Sequence, residues 1–301
     1  MQTLLNDHKL ILLEAAVIET LRRSEDIRLH PNLENSLLIY EENGKEALTA
    51  LYQSFIQIAY NADAPIIVCT PTWRANRERI SAAHLKQDIN GDAARFLRHL
   101  RSQWRPWEAN ILIGGLIGCK NDCYKPEEGL YKNEARTFHR WQINRLAASG
   151  VDFLLAATLP ALPEATGIAL AMAETGIPFI ISFVINKKGR VLDGNNLESC
   201  FQTIDAACSR TPIGYMINCA YPSFLNPDSQ PASVLSRLIG YQANASSLDH
   251  RQLDGAVNLQ ADDVSDWGRL MITLNRKYGV KILGGCCGTS DKHLQYITQN
   301  I

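Results

Sequence analysis

The stretch "RKYGVKIL" (Arg276–Leu283) decides how the chain is read. A helical stripe of Val264, Trp267, Met271, Leu274 and Tyr278 runs into it, Gly279 stops the helix, and an apolar strand begins at Val280. Asp262 or Asp263 is the N-cap and Gly279 the C-cap that such a helix requires. The same phrase, helix, glycine stop and buried strand, stands upstream as "ETGIPFII" (Glu174–Ile181). Outward from these, strands are predicted at Leu10–Leu13, Pro65–Thr70, Ile111–Ile117, Val151–Ala157, Pro178–Phe183, Tyr215–Asn218, weakly near Leu238–Tyr241, and at Val280–Gly284. Most are apolar at every position, the pattern of parallel strands covered on both faces. Between them, Leu48, Leu51, Tyr52, Phe55, Ile58 and Ala59 make one helical stripe, and Phe138, Trp141, Ile143 and Leu146 begin another that ends at Gly150.

Eight such units predict an α/β fold, a (β/α)8 barrel with residues 1–301 as one domain. A doubly wound open sheet is the competing architecture, but no GxGxxG follows the first strand. The polar stretches Ser24–Gly44 and Gln242–Asp263 both follow strands. They are expected as long loops over the C-terminal face, where barrel enzymes keep their sites.

Hydrophobic residues make up 46% of the chain, enough for a substantial core, so wholesale disorder is excluded. Lys and Arg number 30 against 31 Asp and Glu, so no basic excess points to nucleic acid or an anionic membrane. No run approaches the ~20 apolar residues of a membrane span. Met1–Lys9 lacks the basic n-region of a signal peptide. The expected compartment is the cytoplasm, where the eight cysteines are free thiols, metal ligands or catalytic groups and not a disulfide framework. Oligomeric state is not legible.

The chemistry concentrates in "ILGGCCGTSDKH" (Ile282–His293). Adjacent residues on a strand point to opposite faces, so Cys286 and Cys287 need a distorted turn to face one point. Gly284, Gly285 and Gly288 supply it. Thr289 or Ser290 caps the next helix, whose N-terminus favours thiolate over thiol. "GYMINCAYP" (Gly214–Pro222) puts Cys219 just past another buried strand, so a barrel gathers three thiols at one rim. A single cysteine is ordinarily a small buried hydrophobe. A flanked pair plus a third at a strand end instead describes a catalytic zinc site with one open position. Three thiolates on Zn2+ make a weak Lewis acid for water but a good holder of a fourth, substrate thiol.

These residues resemble the homocysteine S-methyltransferase family, the zinc-thiolate methyltransferases that include betaine- and S-methylmethionine-dependent enzymes. "GGCCGT" (Gly284–Thr289) and "NC" (Asn218-Cys219) look like its metal motifs. "LLEAAVIETLRR" (Leu12–Arg23), "CTPTWRAN" (Cys69–Asn76), "GGLIGCKNDCYKPEEGL" (Gly114–Leu130) and "FHRWQINRLAASGVDFLLAATLPALPEA" (Phe138–Ala165) resemble further family segments. The resemblance implies a barrel holding one zinc on Cys219, Cys286 and Cys287, which are also the catalytic residues. It implies a small-molecule thiol acceptor, homocysteine, and a methyl-onium donor such as S-methylmethionine, giving methionine. Glu14, Thr158, Asn218 and Asn244 are the expected substrate-binding residues. Asn244, in "YQANAS" (Tyr241–Ser246), is by the same match a fourth zinc ligand when no substrate thiol is bound; a turn asparagine is the other reading.

Two positions depart from the family pattern. The first strand ends Glu14-Ala15-Ala16-Val17, not Asp-Gly-Gly/Ala-Met, and the fourth ends Ala157-Thr158, not Glu-Thr. The lost glutamate receives the amino group of homocysteine in the family. Either Glu14 compensates, or the acceptor is another thiol or a selenol; a non-catalytic zinc- or thiol-binding barrel is a third reading. Other features carry less. Cys119 and Cys123 have the wrong spacing for a redox or metal pair, and Cys69, Cys200 and Cys208 are expected to be buried. "GGLIGCK" is no P-loop. His139 and His293 are expected on helices, in surface or packing roles and not as metal ligands. Trp73 and Tyr221 lie past strand ends, where either packing or a cation–π contact with an onium donor is open to them.

Overall fold

The computed structural model describes residues 1–249, 252 and 260–301. Eight parallel strands close into a barrel in sequence order: β1 Ile11–Leu13, β2 Ile66–Cys69, β3 Ile111–Ile117, β4 Phe153–Leu159, β5 Phe179–Phe183, β6 Gly214–Asn218, β7 Leu238–Ala243 and β8 Ile282–Gly285. β8 returns to β1 with Leu283 opposite Leu12, so no edge remains. The principal helix after each strand is α1 Glu42–Asn61, α2 Ile89–Ser102, α3 Lys132–Ala148, α4 Leu162–Ala173, α5 Leu197–Ala207, α6 Ala232–Arg237, α7 Val264–Tyr278 and α8 Asp291–Asn300. Among the described residues no helix is long and apolar enough to cross a membrane.

The continuously apolar strands are explained by two cores. Ile11, Leu13, Ile67, Cys69, Phe153, Leu155 and Ala157 fill the barrel interior, while Leu12, Ile66, Val68, Leu154 and Ala156 face the helices. Successive side chains alternate between these cores. A helix at Gln2–Asp7, not foreseen from the sequence, brings Leu5 into the interior cluster and closes the N-terminal end of the barrel. The Lys281 ammonium donates to the Leu5 carbonyl at 2.5 Å and ties that plug to β8.

The expected caps are present. Asp263 accepts from the amides of Ser265 and Asp266, and Gly279 takes φ 74. Ser290 caps α8 in a reciprocal box with His293. The stretch 24–44 carries a 3-10 turn, Asn35–Tyr40. Positions 250, 251 and 253–259 of the other polar stretch lie outside the described residues.

Two expectations are corrected. β4 runs two residues beyond Ala157, with its register to β5 shifted between Ala156 and Leu159. The cause is Thr158, whose φ of 62 kinks the strand. On α3 the buried face is Ala135, His139, Gln142, Ile143 and Leu146, while Phe138 and Trp141 are only half-buried. The apolar stripe misled because His139 and Gln142 are turned inward by hydrogen bonds described below.

Candidate active site and metal centre

Strands β6 and β8 flank β7 and bring the three cysteines of the sequence motifs together. The amide of Cys219 donates to Gln242 O at 3.1 Å and that of Cys286 to Ala243 O at 2.7 Å, so both residues hang on the end of β7. The Sγ atoms of Cys219, Cys286 and Cys287 all lie within 4.8 Å of one another. Cys219 and Cys286 have Cα atoms 5.5 Å apart, and their sulfurs touch. Anchoring to adjacent β7 carbonyls puts the two sulfurs within reach of each other, and equally of one ion. Asn244 is wedged into the same corner. Its amide donates to Ala220 O at 3.1 Å, and the amide of Ala245 donates to Cys287 O at 2.9 Å. The Asn244 Oδ1 is buried without a hydrogen-bond partner. Three sulfurs within reach of one another suit a thiophilic divalent ion such as zinc.

The turns that aim these sulfurs are partly strained. Cys219 has φ 52 and Thr158 φ 62, positions that non-glycine residues, above all β-branched ones, adopt at a cost of order 1–3 kcal/mol. Asn218 holds both. Its Oδ1 accepts from the Thr158 amide at 2.8 Å and from Ser182 Oγ at 2.7 Å, while its Nδ2 donates to Thr158 Oγ1 at 2.7 Å and to Cys219 Sγ at 3.3 Å. Its polar atoms are thus spent on the protein. In the double-cysteine turn only Gly288 needs φ > 0, at 81. Gly284 serves close approach: a Cβ there would sit 2.6 Å from Leu13 O.

The cysteines open onto a cavity of about 670 Å³ that also exposes Glu14, Ala157, Thr158, Asn218 and Trp73. Glu14 is buried at the end of β1, where Oε2 accepts from the Cys69 amide at 2.6 Å. Burial pushes its pKa up to about 8 against the opposing pull of that hydrogen bond. Ala157 lies in the wall of the same cavity as Glu14. The protein around Cys287, with the Glu19 carboxylate adding, pushes that thiol up to about 11.

A shell that the sequence reading missed supports this floor. Glu164 of α4 is buried and accepts from the amides of Lys120 at 2.8 Å and Leu130 at 3.2 Å and from His139 Nε2 at 2.9 Å. Burial opposes ionisation there, yet the His139 and amide bonds win and hold the carboxyl below its usual range. Glu164 thereby pins both ends of the loop after β3. Gln142 Nε2 donates to Thr72 O at 2.7 Å and fixes the loop after β2. The polar pair His139 and Gln142, three apart on one helix face, was the available signal. Cys119 and Cys123 are buried in the β3 loop, apart from the three-sulfur cluster. Cys69, Cys200 and Cys208 are buried as expected. Tyr221 is 5% exposed and packs on Phe224, and Trp73 carries the Arg74 guanidinium 3.9 Å above its ring.

Comparison with known proteins agrees with this geometry. The chain is 26% identical over 188 residues to "Homocysteine S-methyltransferase 4" of Zea mays, spanning 58% of this chain and about half, 51%, of that relative. It is 24% identical over 322 residues to "Homocysteine S-methyltransferase YbgG" of Bacillus subtilis, spanning 98% and 96%. The metallated crystal structure of the homocysteine methyltransferase MmuM of Escherichia coli superposes with TM-score 0.75 at 18% identity, covering 100% of this chain and 99% of that one. The sequence model of the homocysteine S-methyltransferase family matches residues 3–301. The chain therefore belongs to the homocysteine S-methyltransferase family, a family of methyltransferases.

Proposed function

We propose that this barrel transfers a methyl group from a sulfonium or quaternary ammonium donor, such as S-methylmethionine, to the thiol of homocysteine, using zinc held by Cys219, Cys286 and Cys287. The observation that carries the reading is the set of three sulfurs within 4.8 Å of one another, open to a cavity. When bound, zinc supplies a positive charge that keeps the acceptor sulfur ionised below the ordinary thiol pKa near ~8.5. Asn244 Oδ1, buried and unpartnered, is the displaceable fourth ligand of this reading. Asn218 steadies Cys219 through its N–H···S contact and stiffens the Thr158 turn beside it. The acceptor sulfur attacks the methyl carbon in line, the carbon–onium bond breaks, and its electron pair leaves with the neutral donor product. No base is needed once the thiol is ionised. The cavity walls orient the reactants and exclude water.

Glu14 is the residue this reading assigns to the amino group of homocysteine in place of the acid absent at Ala157. A bound ammonium favours the ionised carboxylate, so the raised pKa of Glu14 falls on binding. The second reading, an acceptor thiol or selenol without that amino group, rests on the buried Ala157 methyl where an acid would stand.

Replacing Cys219, Cys286 or Cys287 by Ala is expected to abolish stoichiometric zinc and methyl transfer together. Full zinc and full turnover in any one of the three sink the assignment. Ala157→Glu should tighten homocysteine binding by about tenfold, the worth of one charge-assisted hydrogen bond. Zinc binding and thiol binding with no methylated product from any onium donor would make the barrel a binding protein.

A further inference from the structure

Opposite β6, across the barrel mouth, the loop after β2 carries two arginines into the same cavity. Arg74 is 8% exposed, yet it has no carboxylate within ion-pairing distance among the described residues. Its Nη1 is spent on backbone, donating to Cys119 O at 2.9 Å and Asn121 O at 2.7 Å. Its Nε and Nη2 have no protein partner among the described residues, although the guanidinium is held flat on Trp73. Arg79 stands beside it, since both guanidinium groups reach Lys120 O at 3.4 Å. Arg79 is also without a carboxylate ion pair among the described residues; its other side-chain bond goes to Asn32 O at 3.1 Å.

Among the described residues no acid forms an ion pair with either arginine, although Glu34 and Glu78 lie near enough to Arg79 to act on its charge. Glu34 pairs with Arg22 at 2.9 Å and Glu19 with Arg23 at 3.0 Å. Glu128 and Asp122 share Lys125, at 3.2 and 3.9 Å. Glu14 is committed to the Cys69 amide on the floor. A buried guanidinium is costly unless paired, and its fork is shaped for a two-oxygen anion. We propose that Arg74, assisted by Arg79, forms a carboxylate-reading subsite at the β2 side of the cavity, which orients an anionic substrate toward the cysteine cluster. The substrate class is a carboxylate-bearing thiol or a carboxylate-bearing onium donor; the shared chemistry is the carboxylate. The inference rests on the proposed methyl transfer for what that substrate is, but not for the existence of the subsite.

The test is calorimetric binding to the zinc-loaded protein of two matched pairs. The acceptor arm compares 3-mercaptopropionate with 1-propanethiol, and the donor arm (2-carboxyethyl)dimethylsulfonium with ethyldimethylsulfonium. Wild type should prefer the carboxylate member by roughly tenfold or more in one arm, which identifies the source. Arg74→Gln keeps an amide donor for the Asn121 carbonyl but removes the fork. It should shrink the preference to within about twofold while leaving the carboxylate-free member unchanged; Arg79→Gln should shrink it partly, and Arg74→Lys should restore part of it. Equal affinities within both pairs in wild type, no binding of any of the four, or a preference that survives in both glutamine variants would overturn the subsite. Carboxylate-dependent binding with no methylated product would leave the subsite standing and remove the methyl-transfer reading. Product formation with equal affinities would do the reverse.

Discussion

Glu14 lies at the end of the first strand, buried, with one oxygen on the Cys69 amide. Its pKa stands at about 8 because burial disfavours the charged form. The sign of the consequence follows from linkage. Below the ordinary value of 4.5 both folded and unfolded chains hold the proton, and the contribution is fully present. As pH rises from there toward 8 the unfolded chain ionises first, so the folded state loses up to ~1.4 kcal/mol per pH unit. Glu14→Gln is expected to flatten this slope between pH 5 and 8, as read by denaturant unfolding of both proteins at several pH values. Equal slopes would mean that the carboxyl is already ionised in the folded chain. At the same scale the sequence pointed to the three sulfurs, because two adjacent cysteines among glycines have few other uses. It did not reveal the left-handed turns at Thr158 and Cys219, where nothing in a threonine or cysteine announces a positive φ.

At the scale of elements, the loop after β3 is held from behind by a helix. Glu164 spends both oxygens on that loop and on His139, whose Nδ1 is itself buried without a partner. Glu164→Gln puts an NH2 donor against backbone N–H donors and leaves one buried amide unpaired. The expected loss is about 2–4 kcal/mol of unfolding free energy, with faster hydrogen exchange concentrated in residues 118–130. Unchanged exchange in that loop would remove Glu164 as its anchor. Here periodicity was a poor guide: α3 turns polar residues inward, because a helix that braces two loops needs hydrogen-bond donors on its buried face. The capped helix α7 was legible to within one residue, with Asp262 or Asp263 as cap and Gly279 as stop, since both caps act locally.

At the scale of the whole molecule, the cysteine cluster closes the barrel mouth between β6 and β8, so an ion there ties distant parts of the chain together. A ligand that binds only the folded chain stabilises it by ~4 kcal/mol at a thousandfold excess over its dissociation constant. For a chain of this size that predicts a rise in melting temperature of roughly 6 °C with zinc, reversed by chelation and absent in Cys287→Ser. A zinc-independent melting temperature in the wild type would speak against the metal centre.

Eight apolar runs, most with a glycine or proline stop just before them, pointed to the barrel, because parallel strands buried on both faces are apolar at every position. The same runs placed three cysteines at one rim, since strand ends in a barrel share one face. What only the tertiary structure decided is how the rest of the mouth is wired. The register slip at Thr158, the inward polar face of α3, the fully committed Asn218 and the unpaired Arg74 all depend on contacts between segments 25 or more residues apart. Such contacts leave no local period or spacing in the chain, and they exist only once the strands have closed.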